Sequence, residues 1–205
     1  MKNGLFGLMV VGLLAISAAP AQGQVAWESP MLLGPASPAG WGVFLVDPSP
    51  RSGIGVLTTF RSADAPAGLG YRLGLAEGAR DRLAVYGGID VSGFLVRHSP
   101  DFPLDVIWLA GAGFGAGDHF RLGFPLGAAI GRMFDADGVV FHPYAAPRVV
   151  LDAFIGRDRP DDNLDLALVV DLGIDVAFQP NWAVRFGASV GDRSALAIGM
   201  SFRVF

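Results

Sequence analysis

From Leu164 to Phe205 the chain alternates apolar with small or polar side chains through three runs separated by very short turns. Leu164, Leu166, Leu168, Val170, Leu172, Ile174, Val176 and Phe178 share one parity, against Asp165, Ala167, Val169, Asp171, Gly173, Asp175 and Ala177. After Gln179-Pro180-Asn181 come Trp182, Val184, Phe186, Ala188 and Val190, against Ala183, Arg185, Gly187, Ser189 and Gly191. Past Gly191-Asp192, the residues Leu196, Ile198, Met200, Phe202 and Val204 oppose Ala197, Gly199, Ser201 and Arg203. A two-residue period puts each set on its own face of a strand. One face is therefore oily; the other carries glycine, alanine, aspartate and arginine.

The same division runs back through the chain. Phe120, Leu122, Phe124, Leu126, Ala128 and Ile130 oppose Arg121, Gly123, Pro125, Gly127, Ala129 and Gly131. Leu83, Val85, Ile89, Val91 and Leu95 oppose Asp90 and Ser92; Phe141, Val149, Leu151, Ala153 and Ile155 oppose His142, Tyr144, Arg148 and Asp152. Turn residues punctuate ten strand candidates, roughly 41–47, 53–61, 69–77, 82–96, 104–116, 119–133, 139–155, 164–178, 181–191 and 194–204. Phe44, Val46 and Leu57 blur the faces of the first two. Pro125, Pro143 and Pro147 each remove a ladder donor, which bulges or strand ends would have to absorb. The reading is all-β, an antiparallel up-and-down transmembrane β-barrel of about ten strands, with eight as the alternative.

Composition agrees with a chain that meets lipid through strands. Mean hydropathy is +0.46 and 17% of residues are charged, where a soluble domain carries about a quarter. No apolar stretch of the body of the chain has the roughly 20 residues of a spanning helix; Val106–Phe114 is short and glycine-broken. Closed barrels satisfy every backbone polar group in hydrocarbon, as helices do. The first residues differ: Met1-Lys2-Asn3, an apolar Leu5–Ile16 and Ala19-Pro20-Ala21 read as a secretory signal peptide over 1–21. Residues 22–40, with Pro30, Pro35 and Pro38, read as a periplasmic leader. Trp27 and Met31-Leu32-Leu33 are expected on the barrel rim or inside it. Residues 41–205 form the barrel.

There is no cysteine, hence no disulfide, thiolate metal site, acylated lipoprotein signal or cysteine nucleophile. Lys2 is the only lysine, so without it the chain is one charge more acidic than its formal −4 and offers no footprint for nucleic acid. No Walker-type loop, HExxH or Asp-rich calcium loop is present, and no cofactor or metal is expected.

An even strand count puts both termini in the periplasm. Outer loops are then Asp47–Ser52, Glu77–Asp81, Gly117-Asp118, Gly156–Asn163 and Gly191–Ser194, all short. Periplasmic turns are Ser62–Gly68, Arg97–Pro103, Phe134–Gly138 and Gln179–Asn181.

Candidate chemistry lies on the small-residue face. Arg72, Arg121, Arg148, Arg185 and Arg203 share it with Asp90, Asp152, Asp171 and Asp175. An arginine facing midplane lipid costs about 2–4 kcal/mol, so this set belongs in the lumen, where the charges must pair. Paired, they form a plug of side chains; spaced apart, they line the constriction of a small channel. Trp41, Phe60, Tyr71, Phe114, Phe120, Phe141, Phe178 and Trp182 fall near strand ends, where amphipathic rings favour a membrane interface. His98 and His119 sit beside turns, whereas His142 shares the lumen with Asp152, Ser92 and Ser189. Such a set is the material of a general base or a serine–histidine pair.

With a signal peptide, successive amphipathic hairpins, aromatic strand ends and a terminal Phe205, residues 41–205 resemble small bacterial outer-membrane β-barrel proteins of the OmpA-like and OmpX-like kind. The resemblance implies a Gram-negative outer membrane, contact with its lipids, and insertion by the barrel-assembly machinery, which recognises a C-terminal aromatic strand. Phe205 departs from that pattern by sharing parity with Arg203, Ser201 and Gly199. Either a bulge near Arg203 restores its face or Phe202 is the recognised residue. A structural, non-enzymatic barrel with slight passive permeability is the leading functional reading. A porin-like channel, a His142-based lipid-modifying enzyme and a soluble lipocalin-like binder are the alternatives.

Overall fold

The structure, a computed structural model, describes residues 27–47, 54–62, 68–77, 83–117, 120–155 and 164–203. Its strands are β1 (Gly40–Asp47), β2 (Gly55–Arg61), β3 (Gly70–Glu77), β4 (Leu83–Val96), β5 (Asp105–Ala116), β6 (Phe120–Gly131), β7 (Phe134–Ala136), β8 (Val139–Ile155), β9 (Leu164–Gln179), β10 (Trp182–Gly191) and β11 (Ala195–Phe202). Each pairs antiparallel with its neighbour in sequence, save that β7 pairs with β8 alone. The sheet closes twice over, β1 against β11 and β6 against β8, giving a ten-stranded up-and-down barrel. Strand limits fall within two residues of the ten read from the alternation. β7 is the addition, a three-residue hairpin arm within the segment read as the Phe134–Gly138 turn.

The oily set faces outward along every barrel strand. Leu73, Leu75, Leu126, Leu164, Leu166, Leu168, Leu196 and Ile198 are all exposed. On the alternate positions of these and the other strands, Arg72, Asp152, Ala167, Asp171, Arg185 and Ala197 are buried. These faces are the reverse of those of a lipocalin-like barrel, which keeps its aliphatics inside. With polar groups within and hydrocarbon without, the wall is that of a transmembrane barrel. Among the described residues no helix is long or apolar enough to cross a membrane, which bears on helices only.

Proline is absorbed differently from the expected bulges and strand ends. The β5–β6 ladder lapses between Ala110/Leu126 and Gly113/Gly123, the stretch holding Pro125, and resumes in the same register. The β6–β8 ladder lapses between Gly127/Arg148 and Ile130/Ala145, the stretch holding Pro147. Pro143 and Pro147 keep their places opposite Ile174 and Val170 on β9. A missing donor therefore interrupts a ladder without shifting it.

Glycines on the wall are matched with aromatics across the ladder. Gly74 faces Tyr86, Gly173 faces Tyr144 and Gly199 faces Phe44 on the inside; Gly93 faces Trp108 and Gly87 faces Phe114 on the outside. In each pair a ring atom comes within 2.1–3.1 Å of the place the glycine's Cβ would take. The ring shields exposed backbone while the glycine gives it room, and the pairing pins register.

The barrel is not hollow. Residues 27–39 leave β1 at the end where Gly40 and Phe202 meet, the terminal end, and run into the lumen. Ser37 lies beside Asp175, Met31 beside Asp171, and Glu28 reaches Arg121, the second residue of β6, toward the opposite end. Trp27, Pro30, Met31 and Leu33 are among the most buried side chains described. Trp27, Met31, Leu32 and Leu33 join Phe44, Val46, Leu57, Tyr86, Ile107 and Leu109 of the wall in one hydrophobic cluster. The turn to β1 is made at Gly40 (φ +121°), whose Cβ would collide with the Phe202 carbonyl. Halfway in, Leu32 adopts φ +53°, a left-handed conformation costing a non-glycine residue about 1–2 kcal/mol. Its carbonyl, held by Arg185 at 2.7 Å, helps offset that cost.

Candidate functional site

Cross-strand rows build the lumen site. Asp175 on β9 lies opposite His142 on β8 and Arg185 on β10, so three polar side chains stand abreast across three strands. Arg185 Nε donates to Asp175 Oδ1 at 2.8 Å, and His142 Nδ1 lies 3.5 Å from Oδ2. Two inward rows further in, past Gly173, Ser189 on β10 faces Asp171 and donates to its Oδ1 at 2.6 Å. Arg148 bonds the same carboxylate from β8. Toward the opposite end, Asp152 pairs with Arg193 and lies 3.7 Å from Arg121. Arg61 on β2 reaches Asp90 on β4 across the intervening strand, over Gly70. A Cβ on Gly70 would sit 2.5 Å from both Arg61 Nη2 and Asp90 Oδ2.

The remaining valences of these arginines grip the luminal segment. Arg148 Nη1 donates to the Trp27 carbonyl at 3.0 Å and Nη2 to that of Ser29 at 3.4 Å. Arg72 Nη2 donates to Met31 O at 2.7 Å, and Arg185 Nη2 to Leu32 O and Ser37 Oγ at 2.7 and 2.8 Å. In return, Met31 N–H donates to Asp171 at 2.9 Å and Ala36 N–H to His142 Nε2 at 3.2 Å. Glu28 takes Arg121 Nη2 at 2.7 Å. Gly34-Pro35-Ala36-Ser37 forms a hydrogen-bonded turn with proline at its second position, aiming the segment up the axis.

Trp27 has its own seat. Its indole lies over Gly88, Gly111 and Gly123 on three successive strands, where added Cβ atoms would fall 2.8–3.0 Å from the ring. Its Nε1 donates to Gly123 O at 3.1 Å, and the Arg72 guanidinium covers the ring at 4.3 Å. Gly187 gives Pro30 and Leu32 the same clearance. Beside the segment, a cavity of about 20 Å³ is bordered by Met31, Arg61, Arg72, Asp90, Arg185 and Ser201. That is room for about one water molecule.

Of the residues read from sequence as a lumen network, Arg72, Asp90, Arg121, Arg148, Asp152, Asp171, Asp175 and Arg185 are buried inside. Arg203 stands apart: it is exposed just beyond β11, its N–H bonded to Asn181 O. Arg61, Arg193 and Glu28 complete the network without having been singled out. Arg61 lies on a strand of blurred faces, Arg193 in a segment read as an outer loop, and Glu28 in the leader. Their only sequence signal is an inward carboxylate or arginine elsewhere needing a partner.

The aromatic set gathers at the two ends. Trp41, Phe60 and Tyr71 touch in series around the terminal end, with centroids 4.9 and 6.3 Å apart; Phe178 and Trp182 meet there at 5.6 Å. Phe114 and Phe120 stack at 6.3 Å at the opposite end. Phe141 is half-buried at the start of β8, beside Phe134. Phe202 faces outward. Phe205, His119, the signal segment 1–21 and most of the expected outer loops lie outside the described residues.

The two ring nitrogens of His142 meet Asp175 and Ala36, while the Ser189 hydroxyl is committed to Asp171. The arrangement holds a peptide in place and turns the Ser189 hydroxyl to a carboxylate rather than to His142. Among the described residues no cluster of three or more His, Cys, Asp or Glu side chains is placed to hold a metal ion.

No family model matches the chain, and no curated relative does. Among solved structures, a chain described as KdgM porin superposes on 80% of this chain and 99% of its own, with a TM-score of 0.39 and 10% sequence identity.

Proposed function

We propose that this protein is an outer-membrane β-barrel with a structural role, non-enzymatic, its lumen kept closed by its own leader and wall charges. The supporting observation is the conjunction of an outer wall of exposed aliphatics with a lumen occupied end to end by residues 27–39. Acyl chains are the solvent that suits such a wall, and an aromatic cluster at each end suits the two interfaces. An even strand count puts both termini at one end of the barrel, and in this reading that end is periplasmic. The secretory signal read in residues 1–21 agrees with export, and outer-membrane lipids and the barrel-assembly machinery are the partners this reading requires. The cavity of about 20 Å³ beside the leader has room for about one water molecule, which agrees with at most slight passive permeability.

Membrane insertion is tested by heat-modifiable gel mobility of detergent-extracted protein, since a folded barrel migrates differently from a boiled one. Extraction as a soluble protein without detergent overturns the membrane assignment. Closure is tested in planar bilayers, where the intact protein is expected to be silent; steady unitary currents favour a porin-like channel instead. Lipid profiles unchanged by His142→Ala are expected of a barrel without lipid-modifying activity.

A further inference from the structure

The segment in the lumen is bound as a ligand is bound. It contributes no strand to the sheet, and its contacts with the wall run through side chains: arginines to carbonyls, Asp171 and His142 to N–H groups, Trp27 to Gly123 O. The wall closes through its own ladders between β1 and β11 and between β6 and β8. Its charges are also paired within the wall: Arg148 with Asp171, Arg185 with Asp175, Arg193 with Asp152 and Arg61 with Asp90. Removing the segment therefore breaks no ladder bond and strips those four arginines of no carboxylate. Gly40, at φ +121°, supplies a backbone pivot where the segment joins β1. What removal leaves is a bore, because Gly88, Gly111, Gly123 and Gly187 hold open the space that Trp27, Pro30 and Leu32 fill.

We infer that residues 27–39 are a displaceable plug, and that the barrel behind it is a latent channel preferring small anions. The inference rests on the reading of the chain as a membrane-inserted barrel. Among the described residues, the inward arginines Arg61, Arg72, Arg121, Arg148, Arg185 and Arg193 outnumber the buried Asp90, Asp152, Asp171 and Asp175, while Asp165, of the same parity, is exposed at the outer mouth and Asp105 is held by His98. The plug answers that excess with the Glu28 carboxylate and main-chain carbonyls; once it leaves, mobile anions take their place.

The test uses the whole chain, a deletion of residues 27–39 and the double variant Pro30→Cys with Gly187→Cys. The native chain has no cysteine, and a Cβ at Gly187 lies 3.1 Å from that of Pro30, so a separation of a few tenths of an ångström brings an oxidised pair to the usual span of about 3.5–4.5 Å and ties the plug to the wall. All forms are first checked for heat-modifiable mobility, so that failure of the membrane reading registers separately from failure of the plug. In bilayers with potassium chloride, the folded deletion is expected to raise conductance at least tenfold over the intact chain, with a reversal potential on the chloride side. Added urea should open the reduced double variant reversibly and leave the oxidised one closed. A folded deletion that stays silent overturns the inference, as does an intact chain conducting equally. If the deletion fails to fold, identical urea responses of the oxidised and reduced double variant overturn it.

Discussion

Arg148 on β8 and Asp171 on β9 form a two-pronged ion pair in the middle of the barrel, with Nε–Oδ2 at 2.8 Å and Nη2–Oδ1 at 3.2 Å. They are diagonal neighbours, since Ala146 faces Asp171 and Arg148 faces Val169. Both side chains are out of contact with solvent. Each also holds the luminal segment, Asp171 at Met31 N–H and Arg148 at the Trp27 carbonyl. The pair fastens wall to wall and wall to plug at once.

Breaking that pair from one side leaves a buried, unanswered charge. Arg148→Ala is expected to cost about 3–5 kcal/mol of folding stability. Arg148→Leu combined with Asp171→Leu should cost clearly less than the two single changes added together, because no charge is then stranded. Urea unfolding in phospholipid vesicles, followed by tryptophan fluorescence, measures both. Strict additivity would contradict the coupling.

Gly70 is the gap through which Arg61 and Asp90 meet. Gly70→Ala places a methyl 2.5 Å from both partners and should destabilise the barrel by about 1–3 kcal/mol. In an Asp90→Ala background the same substitution should cost much less, since there is no bridge left to sever. A double-mutant cycle on unfolding midpoints decides between this and a general intolerance of side chains at position 70.

The outer wall predicts a depth dependence. Leu126 is exposed in the middle of β6, and Leu126→Arg should weaken folding into bilayers by about 2–4 kcal/mol. Leu164, equally exposed but first in β9, should tolerate Leu164→Arg at about 0–1 kcal/mol. Equal costs at the two positions would argue that the wall does not face lipid.

What was legible beforehand followed from whether a strand divides its faces cleanly. β9, β10 and β11 set leucine and phenylalanine against aspartate, glycine and arginine, so both limits and orientation could be read. β1 and β2 could not be oriented in the same way, because Phe44, Val46 and Leu57 point inward toward an apolar plug and both faces are greasy. The position of residues 27–39 was only narrowed to rim or interior. Proline and glycine announce an extended chain, but its place is fixed by arginines distant in sequence, such as Arg148 and Arg185. Arg61 and Arg193 escaped notice for a related reason, since their partners lie on strands that do not follow them directly.

The tryptophans offer a direct reading of the plug's place. Trp27 is fully buried between three glycines and Arg72, whereas Trp41 and Trp108 are 52% and 38% exposed on the outer wall. In a variant keeping Trp27 alone, with Trp41, Trp108 and Trp182 changed to Phe, fluorescence should resist both aqueous acrylamide and lipids brominated on their acyl chains. A variant keeping Trp108 alone should be quenched by the brominated lipid. Quenching of Trp27 by lipid would place the segment outside the barrel. Strong quenching by acrylamide alone would place it in water beyond the rim, and either outcome would remove the plug from the lumen.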